Sequence, residues 1–312
     1  MNAQFITALS NGDRAAMVNI PKADRHCHSL LGGKRETASR LLGRELVPPP
    51  SGMNSIEVMN SYLDDVFSFG IDRKVIEKLF EAALLTALDD GVVLLEASID
   101  CSNTKYYPGG ADEMTAAFRD IHRNTAPQIE LIPQLGMIRE RDITELETMA
   151  KSCIDTGYFC SLDLYSVETA RAPGEFTPIY SYARDHGMKL KAHTGEFGDA
   201  EQVRRTVETL DLDEVMHGIT AAGSPSVMEF LARRGTVLHV CPTSNLMLGR
   251  VKSIADHPIR ALVDGGINVT INSDDIFVFG NTVSDEFLAL YRHGVLDAGD
   301  LDTIRERGLK VI

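Results

Sequence analysis

No stretch of eighteen consecutive apolar residues occurs in the 312-residue chain, so none of it is expected to span a membrane. The first thirteen residues lack a basic segment followed by an apolar one, and no secretory signal is expected. Cysteine is sparse: Cys27, Cys101, Cys153, Cys160 and Cys241 are odd in number, widely spaced and without a CxxC pair. That argues against a disulfide framework or a cysteine-rich zinc site and suits a reducing cytoplasm. Positive charge is also short, with 31 Lys and Arg against 45 Asp and Glu and a formal charge of −14. This field repels polyanions, so nucleic acid is not expected as a partner, whereas a small neutral or cationic molecule is easily accommodated. Internal repeats and low-complexity segments are missing too.

What is present is alternation. Short apolar or β-branched runs at 23–29, 92–99, 129–136, 158–165, 190–195, 214–219, 236–241 and 268–273 read as eight strands. Amphipathic stretches at 72–88, 113–122, 143–155, 201–210 and 224–234 read as helices between them. Parallel strands joined by crossover helices follow, and eight units predict a (β/α)8 barrel, with a doubly wound open sheet as the structural alternative. One barrel domain over residues 1–312 is expected, with a helical insert at about 31–70 that contains Gly32-Gly33, Pro48-Pro49-Pro50 and the helical pattern 55–69. Such an insert arches over the strand ends as a lid or serves as an extra packing pair.

The histidines carry the chemistry. In His26-Cys27-His28 the two imidazoles are two residues apart on a strand and so share one face. His193 ends the fifth predicted strand, His217 the sixth, and Asp274-Asp275 the eighth. All fall at carboxyl ends of strands, where barrel enzymes build their sites. Three imidazoles and a carboxylate suit a divalent ion with a position left for water; zinc is the first choice, and Fe2+ or Co2+ would accept the same ligands. Such an ion acidifies water toward neutrality, and Glu196, three residues after His193, is placed for proton transfer beside it. His122, His186 and His293 fall on helical stretches, His239 reads as a satisfied core residue, and His257, before Pro258, as a helix start. Lys191 shares strand parity with His193 and needs a buried partner, Asp163 or Glu96, unless it forms a Schiff base.

Six segments, in order along nearly the whole chain, give a resemblance. They are Pro21-Lys22-Ala23-Asp24-Arg25-His26-Cys27-His28, His193-Thr194-Gly195-Glu196, His217-Gly218, Cys241-Pro242-Thr243-Ser244-Asn245, His257-Pro258 and Asn272-Ser273-Asp274-Asp275. The chain thereby resembles the adenosine/adenine deaminase family of the amidohydrolase superfamily. The resemblance implies His26, His28, His193 and Asp274 as ligands of one zinc ion. It implies Glu196 as the acid that protonates purine N1, His217 as the residue that orients the attacking water, and Asp274 as the group that takes its proton. Asp275 would bond purine N7, and ammonia would leave a 6-oxo product.

Departures from the family pattern fall on substrate contacts. Leu30 stands where an acidic residue contacts a ribose 5′-hydroxyl, so an apolar or absent 5′ substituent fits better. Ser166 replaces a glycine that lets the backbone approach purine N3; it would crowd that approach or make a new contact. Ser98 replaces a frequent arginine, and Ile276 a proline. Strand four lacks the modified lysine of related binuclear hydrolases, which favours one metal. The expected activity is hydrolytic deamination of an aminopurine or its nucleoside. The alternatives are a mononuclear zinc amidohydrolase acting on another amino-heterocycle or a cyclic amide, and a non-catalytic nucleoside-binding barrel. Oligomeric state is not legible.

Overall fold

Each of the eight apolar runs forms one strand: β1 (Lys22–His28), β2 (Val92–Asp100), β3 (Glu130–Ile138), β4 (Ser161–Tyr165), β5 (Lys189–Thr194), β6 (Glu214–His217), β7 (Val237–Val240) and β8 (Asn268–Ile271). The structure, a computed structural model, describes residues 1–310. Every strand pairs in parallel with the next in chain order. The ring closes just past β8. There the Asp274 N–H donates to the His26 carbonyl at 2.9 Å, and Cys27 bridges to Asp274. The sheet is therefore a barrel and not the open alternative.

The helices follow from local chemistry. Asp72 caps the helix Arg73–Asp89 by accepting the Val75 N–H, and Ile76, Phe80, Ala83, Leu84 and Ala87 recur at helical spacing on its buried side. Gly91 turns the chain into β2 at φ 74°, and a Cβ there would stand 1.8 Å from the Val18 carbonyl oxygen, so no other residue fits. Two helices precede β1 (Ala3–Asn11 and Arg14–Val18), and the short helix Ile276–Phe279 and two longer ones (Val283–Arg292 and Ala298–Gly308) follow β8. They join through contacts such as Phe5 edge-on to Phe287 at 5.4 Å. No helix among the described residues is long and apolar enough to cross a membrane.

Inside the barrel the layer beneath the strand ends is ionic, where most such barrels stack branched apolar side chains. Lys191 lies 2.6 Å from Glu96 and 2.5 Å from Glu214. Glu96 also accepts from Arg25 at 3.1 Å and Ser161 at 2.8 Å. His239 joins Glu214 and Thr270, each at 2.7 Å, as a satisfied core histidine. Glu96 is thus one partner of Lys191, while Asp163 turns to His193 instead. Burial alone would lower the Lys191 pKa, but Glu96 and Glu214 raise it above the ordinary lysine value. A charged amine held between two carboxylates is no Schiff-base nucleophile.

Between β1 and β2 lie the helices Arg35–Leu42 and Ile56–Val66. Met59, Tyr62 and Val66 of the second form an apolar cluster of their own with Leu248, Phe277 and Phe279. The insert therefore packs as a small core. It also roofs the barrel mouth, because Ile56, Met59, Leu63 and nearby Phe67 line the cavity there.

Candidate functional site

The cavity, about 370 Å³, opens at the carboxyl ends of the strands and lies in the range of small-molecule sites. His28, His193, Glu196, His217, Asp274, Asp275, Leu30 and Ser166 all line it, and His26 lies just beneath, so the candidate metal, catalytic and substrate-contact residues gather in one place.

Among the described residues, three of the four non-glycine residues with positive φ belong to this group: Ser166 at 81°, His217 at 61° and Asp274 at 62°. Each follows or ends a strand, where a left-handed residue turns the side chain over the barrel mouth. Such strain costs about 1–3 kcal/mol per residue and concentrates at functional sites. The conformation at Ser166 is the one that favours glycine, and its hydroxyl reaches the Glu140 carboxylate at 2.8 Å. That is the new contact its chemistry allows.

The imidazole tautomers follow from their partners. His26 Nδ1 must donate to the His239 carbonyl at 3.1 Å, since a carbonyl only accepts. His193 Nδ1 donates to the buried Asp163 carboxylate at 3.1 Å. Burial drives both rings to the neutral form, lowering His26 well below the ordinary value and His193 to about 4. Two bare Nε2 lone pairs are left facing each other 3.0 Å apart. No proton serves both at neutral pH, so the geometry asks for a cation. His28 Nε2 and Asp274 Oδ1 stand 3.6 Å apart beside them, and His26 Nε2 lies 3.7 Å from the same oxygen. His26, His28, His193 and Asp274 thus present three neutral imidazoles and one carboxylate, a donor set that fits zinc or a related divalent ion.

Two neighbours could compete for that ion. The Cys241 thiol sits 3.3 Å from His26 Nδ1, on the far edge of the ring, and burial pushes its pKa up so that it stays a thiol. His217 is set by a chain of hydrogen bonds. The Ile259 N–H donates to His257 Nδ1 at 3.1 Å, which leaves the His257 proton on Nε2. That proton goes to Asn245 Oδ1 at 3.2 Å, and the Asn245 amide donates to His217 Nδ1 at 3.3 Å. His217 therefore carries its own proton on Nε2, aimed at Glu196 (3.5 Å) and Asp274 (3.8 Å). It has no lone pair there to give a metal. His257 also starts a helix, as expected, by accepting the Ile259 N–H, and its contact with Asn245 is a further role that its position alone did not reveal.

Two carboxyls flank this cluster. Burial, then the Asp274 and Glu168 charges, raise the Glu196 pKa well above the carboxylate range. Burial, then Asp274, do the same to Asp275. One oxygen of each, Glu196 Oε1 and Asp275 Oδ1, is buried without a hydrogen-bond partner. Both can act as neutral acids toward a ligand.

Sequence reasoning missed Glu168, although it stands only two residues beyond Ser166. Its carboxylate accepts the N–H groups of Gly195, Glu196, Phe197 and Gly198 at 2.6, 3.2, 2.8 and 3.0 Å, plus the Thr194 hydroxyl at 3.0 Å. It thereby fixes the loop that carries Glu196. Backbone donors leave no trace in a sequence, so only the structure reveals this. Asp100 and Tyr165, joined at 2.5 Å, also line the cavity; strand parity with Glu96 and Asp163 could have found them.

A family model described as adenosine deaminase matches residues 90–311. An adenine deaminase of Chlorobium luteolum is 33% identical over 307 residues, covering 93% of this chain and 88% of that protein. An adenosine deaminase of Plasmodium vivax is 28% identical over 316 residues, covering 88% and 81%. Among solved structures, an adenine deaminase from Arthrobacter aurescens superposes with a TM-score of 0.80 at 21% identity, covering 92% of both chains. An amidohydrolase from Burkholderia ambifaria, solved with bound Zn, gives 0.76 at 22% identity, covering 95% of this chain and 86% of the other.

Proposed function

Because the chain belongs to the adenosine deaminase family of the amidohydrolase superfamily, and is on that ground a hydrolytic deaminase, we propose that it displaces the exocyclic amine of an aminopurine. The substrate is the free base or a nucleoside with an apolar or absent 5′ substituent. The observation that carries this reading is the pair of buried, unpartnered carboxyl oxygens, Glu196 Oε1 and Asp275 Oδ1, on either side of the imidazole cluster. A 6-aminopurine carries an acceptor nitrogen on each side of its amine, N1 and N7, and two neutral acids complement that pattern. A cyclic amide offers no such pair.

In this proposal His26, His28, His193 and Asp274 hold one zinc ion, a choice supported by their donor chemistry and by the Zn-bound amidohydrolase relative. The ion supplies Lewis acidity toward the attacking water. Glu196 protonates N1, which makes C6 electrophilic; the proton that Asp274 takes from the water passes to the amine, which departs as ammonia, and the C6 hydroxyl proton returns to Glu196. His217, with its proton on Nε2, donates to the incoming oxygen and keeps it in line with C6. Asp274 accepts the proton of the water, and Asp275 donates to N7. Leu30, beside the apolar roof, leaves a 5′-hydroxyl without a partner and so disfavours adenosine itself. Five free cysteines suit the cytoplasm as the place of action.

The test is metal analysis with ammonia release over adenine, adenosine, 5′-deoxyadenosine and pterins. Stoichiometric zinc and turnover of an aminopurine are expected, with Glu196→Gln losing at least a hundredfold in kcat. Full activity in Glu196→Gln would refute the assigned acid. Protein without stoichiometric metal, together with unchanged activity in His193→Ala, would refute the metal site.

A further inference from the structure

We propose that Ser98, Asp100 and Tyr165 form a second recognition pole in the cavity, which accepts an N–H donor from the substrate edge facing away from the displaced amine. The proposal rests on the deaminase reading and narrows its substrate to a free amino-heterocycle with an unsubstituted ring N–H at that edge.

The wall in question is built by β2, β3 and β4. In an eight-stranded ring these lie across from β6, β7 and β8, so a ligand whose amine is held among Glu196, His217 and Asp275 turns its opposite edge toward them. Asp100 ends β2 and is 7% exposed. Its Oδ1 accepts the Ser102 N–H at 2.7 Å and its Oδ2 the Tyr165 hydroxyl at 2.5 Å. A carboxylate has room for about four hydrogen bonds, and among the described residues no cationic side chain pairs with this one. A buried charge left in that state is costly unless a ligand completes its shell.

Ser98 strengthens the case independently. It lines the cavity, is 5% exposed, and its Oγ has no partner. Gly136 on β3 keeps open the slot between Ser98 and Tyr165. A Cβ there would stand 2.5 Å from Ser98 Oγ and 2.8 Å from the Tyr165 ring. Tyr165 spends its proton on Asp100 and so orients the carboxylate instead of serving as a donor to the ligand. The Asp100 carboxylate therefore offers an acceptor and selects a donor, while the Ser98 hydroxyl can accept beside it or donate to a neighbouring ring nitrogen. Leu30, Leu31 and Ile71 also line the cavity and cannot pair with the hydroxyls of a ribose. A ring N–H needs only the one acceptor pole.

The experiment compares adenine with 9-methyladenine, which lacks the ring N–H, in kcat/KM and in affinity by calorimetry. The wild-type protein should prefer adenine at least a hundredfold, since a buried polar site strongly rejects an analogue that leaves it unpaired. Asp100→Asn should narrow that preference at least tenfold, with the loss falling on adenine more than on 9-methyladenine and zinc content unchanged. Ser98→Ala should narrow it at least threefold and carries the test if Asp100→Asn does not fold. Equal use of the two bases, preference for adenosine over adenine, or an equal loss on both bases in Asp100→Asn would overturn the subsite while leaving the deaminase reading intact. If no aminopurine releases ammonia, the deaminase reading fails; the affinity ratio then decides the subsite, and equal or absent binding of the two bases overturns it.

Discussion

Replacing His257 tests the hydrogen-bond chain behind His217 most directly. The imidazole does two jobs, accepting the Ile259 N–H through Nδ1 and donating through Nε2 to Asn245. Asparagine can reproduce the first position and glutamine the second. His257→Gln should therefore keep Asn245 pointed at His217, whereas His257→Asn leaves the buried Asn245 oxygen unpaired and its amide free to turn over. An unmade hydrogen bond to a buried group costs about 1–3 kcal/mol, which corresponds to a loss in kcat of about 5- to 150-fold if His217 loses its tautomer to the same extent. The loss should appear in His257→Asn alone, in kcat more than in KM, with metal content unchanged. Stability against pH supplies the control. Burial lowers the His257 pKa from 6.5 to about 4, so between those values the unfolded chain binds the proton and the folded one does not. Stability therefore rises with pH across that window and is lost as the pH falls through it, by about 3 kcal/mol at about 1.4 kcal/mol per pH unit. Neither variant side chain titrates there, so urea denaturation should show this loss removed in both. Equal kcat in the two variants, with both folded, would refute the role assigned to the chain of bonds.

Glu168→Ala strips the acceptor from four backbone N–H groups and should cost at least tenfold in kcat while zinc content holds, with Glu168→Gln intermediate; steady-state kinetics and metal analysis decide it. Lys191→Met leaves Glu214 buried beside His239 without its cation and leaves Glu96 with Arg25 alone, and should destabilise the fold by about 3–5 kcal/mol in chemical denaturation; a change below about 1 kcal/mol would show that the network tolerates the loss. At Ser166, glycine relieves a left-handed backbone worth about 1–2 kcal/mol while giving up the Glu140 contact, so Ser166→Gly should stay within about 1 kcal/mol of wild type. Ser166→Val, which cannot relax there, should lose about 1–3 kcal/mol, and chemical denaturation of both variants checks the two values.

The barrel was legible because its strands are short apolar runs separated by amphipathic helices, and because strand parity alone puts His26 with His28 and Lys191 with His193. The same parity pointed Lys191 toward Asp163 or Glu96, of which Glu96 pairs with it and Asp163 holds His193. It could not find Glu214, which meets Lys191 only once β5 and β6 lie side by side and their neighbours close the ring. Asp100 and Tyr165 were within reach of that rule, as inward residues two beyond Ser98 and Asp163, but nothing in their spacing announces a pair on different strands. Glu168 was beyond it, since its partners are amides that every sequence contains. The insert was readable as helical, while its apolar roof depends on Phe277 and Phe279 arriving from beyond β8.

The residues least legible from propensity are also those closest to the chemistry. Ser166, His217 and Asp274 hold φ values that side-chain-bearing residues avoid, so local preference argues against the conformations they adopt. Each is held by something its neighbours in sequence do not supply: Glu140 binds Ser166, Asn245 binds His217, and the β1 carbonyl of His26 binds the Asp274 amide. Closure of the barrel brings these partners together, and only then can the strain persist. Strain at His217 and Asp274 brings their side chains within 3.8 Å of each other, and Glu196 comes within 3.5 Å of the same imidazole only because Glu168 pins its loop. Position in the sequence could name these residues; the closed ring with its buried polar supports is what makes one site of them.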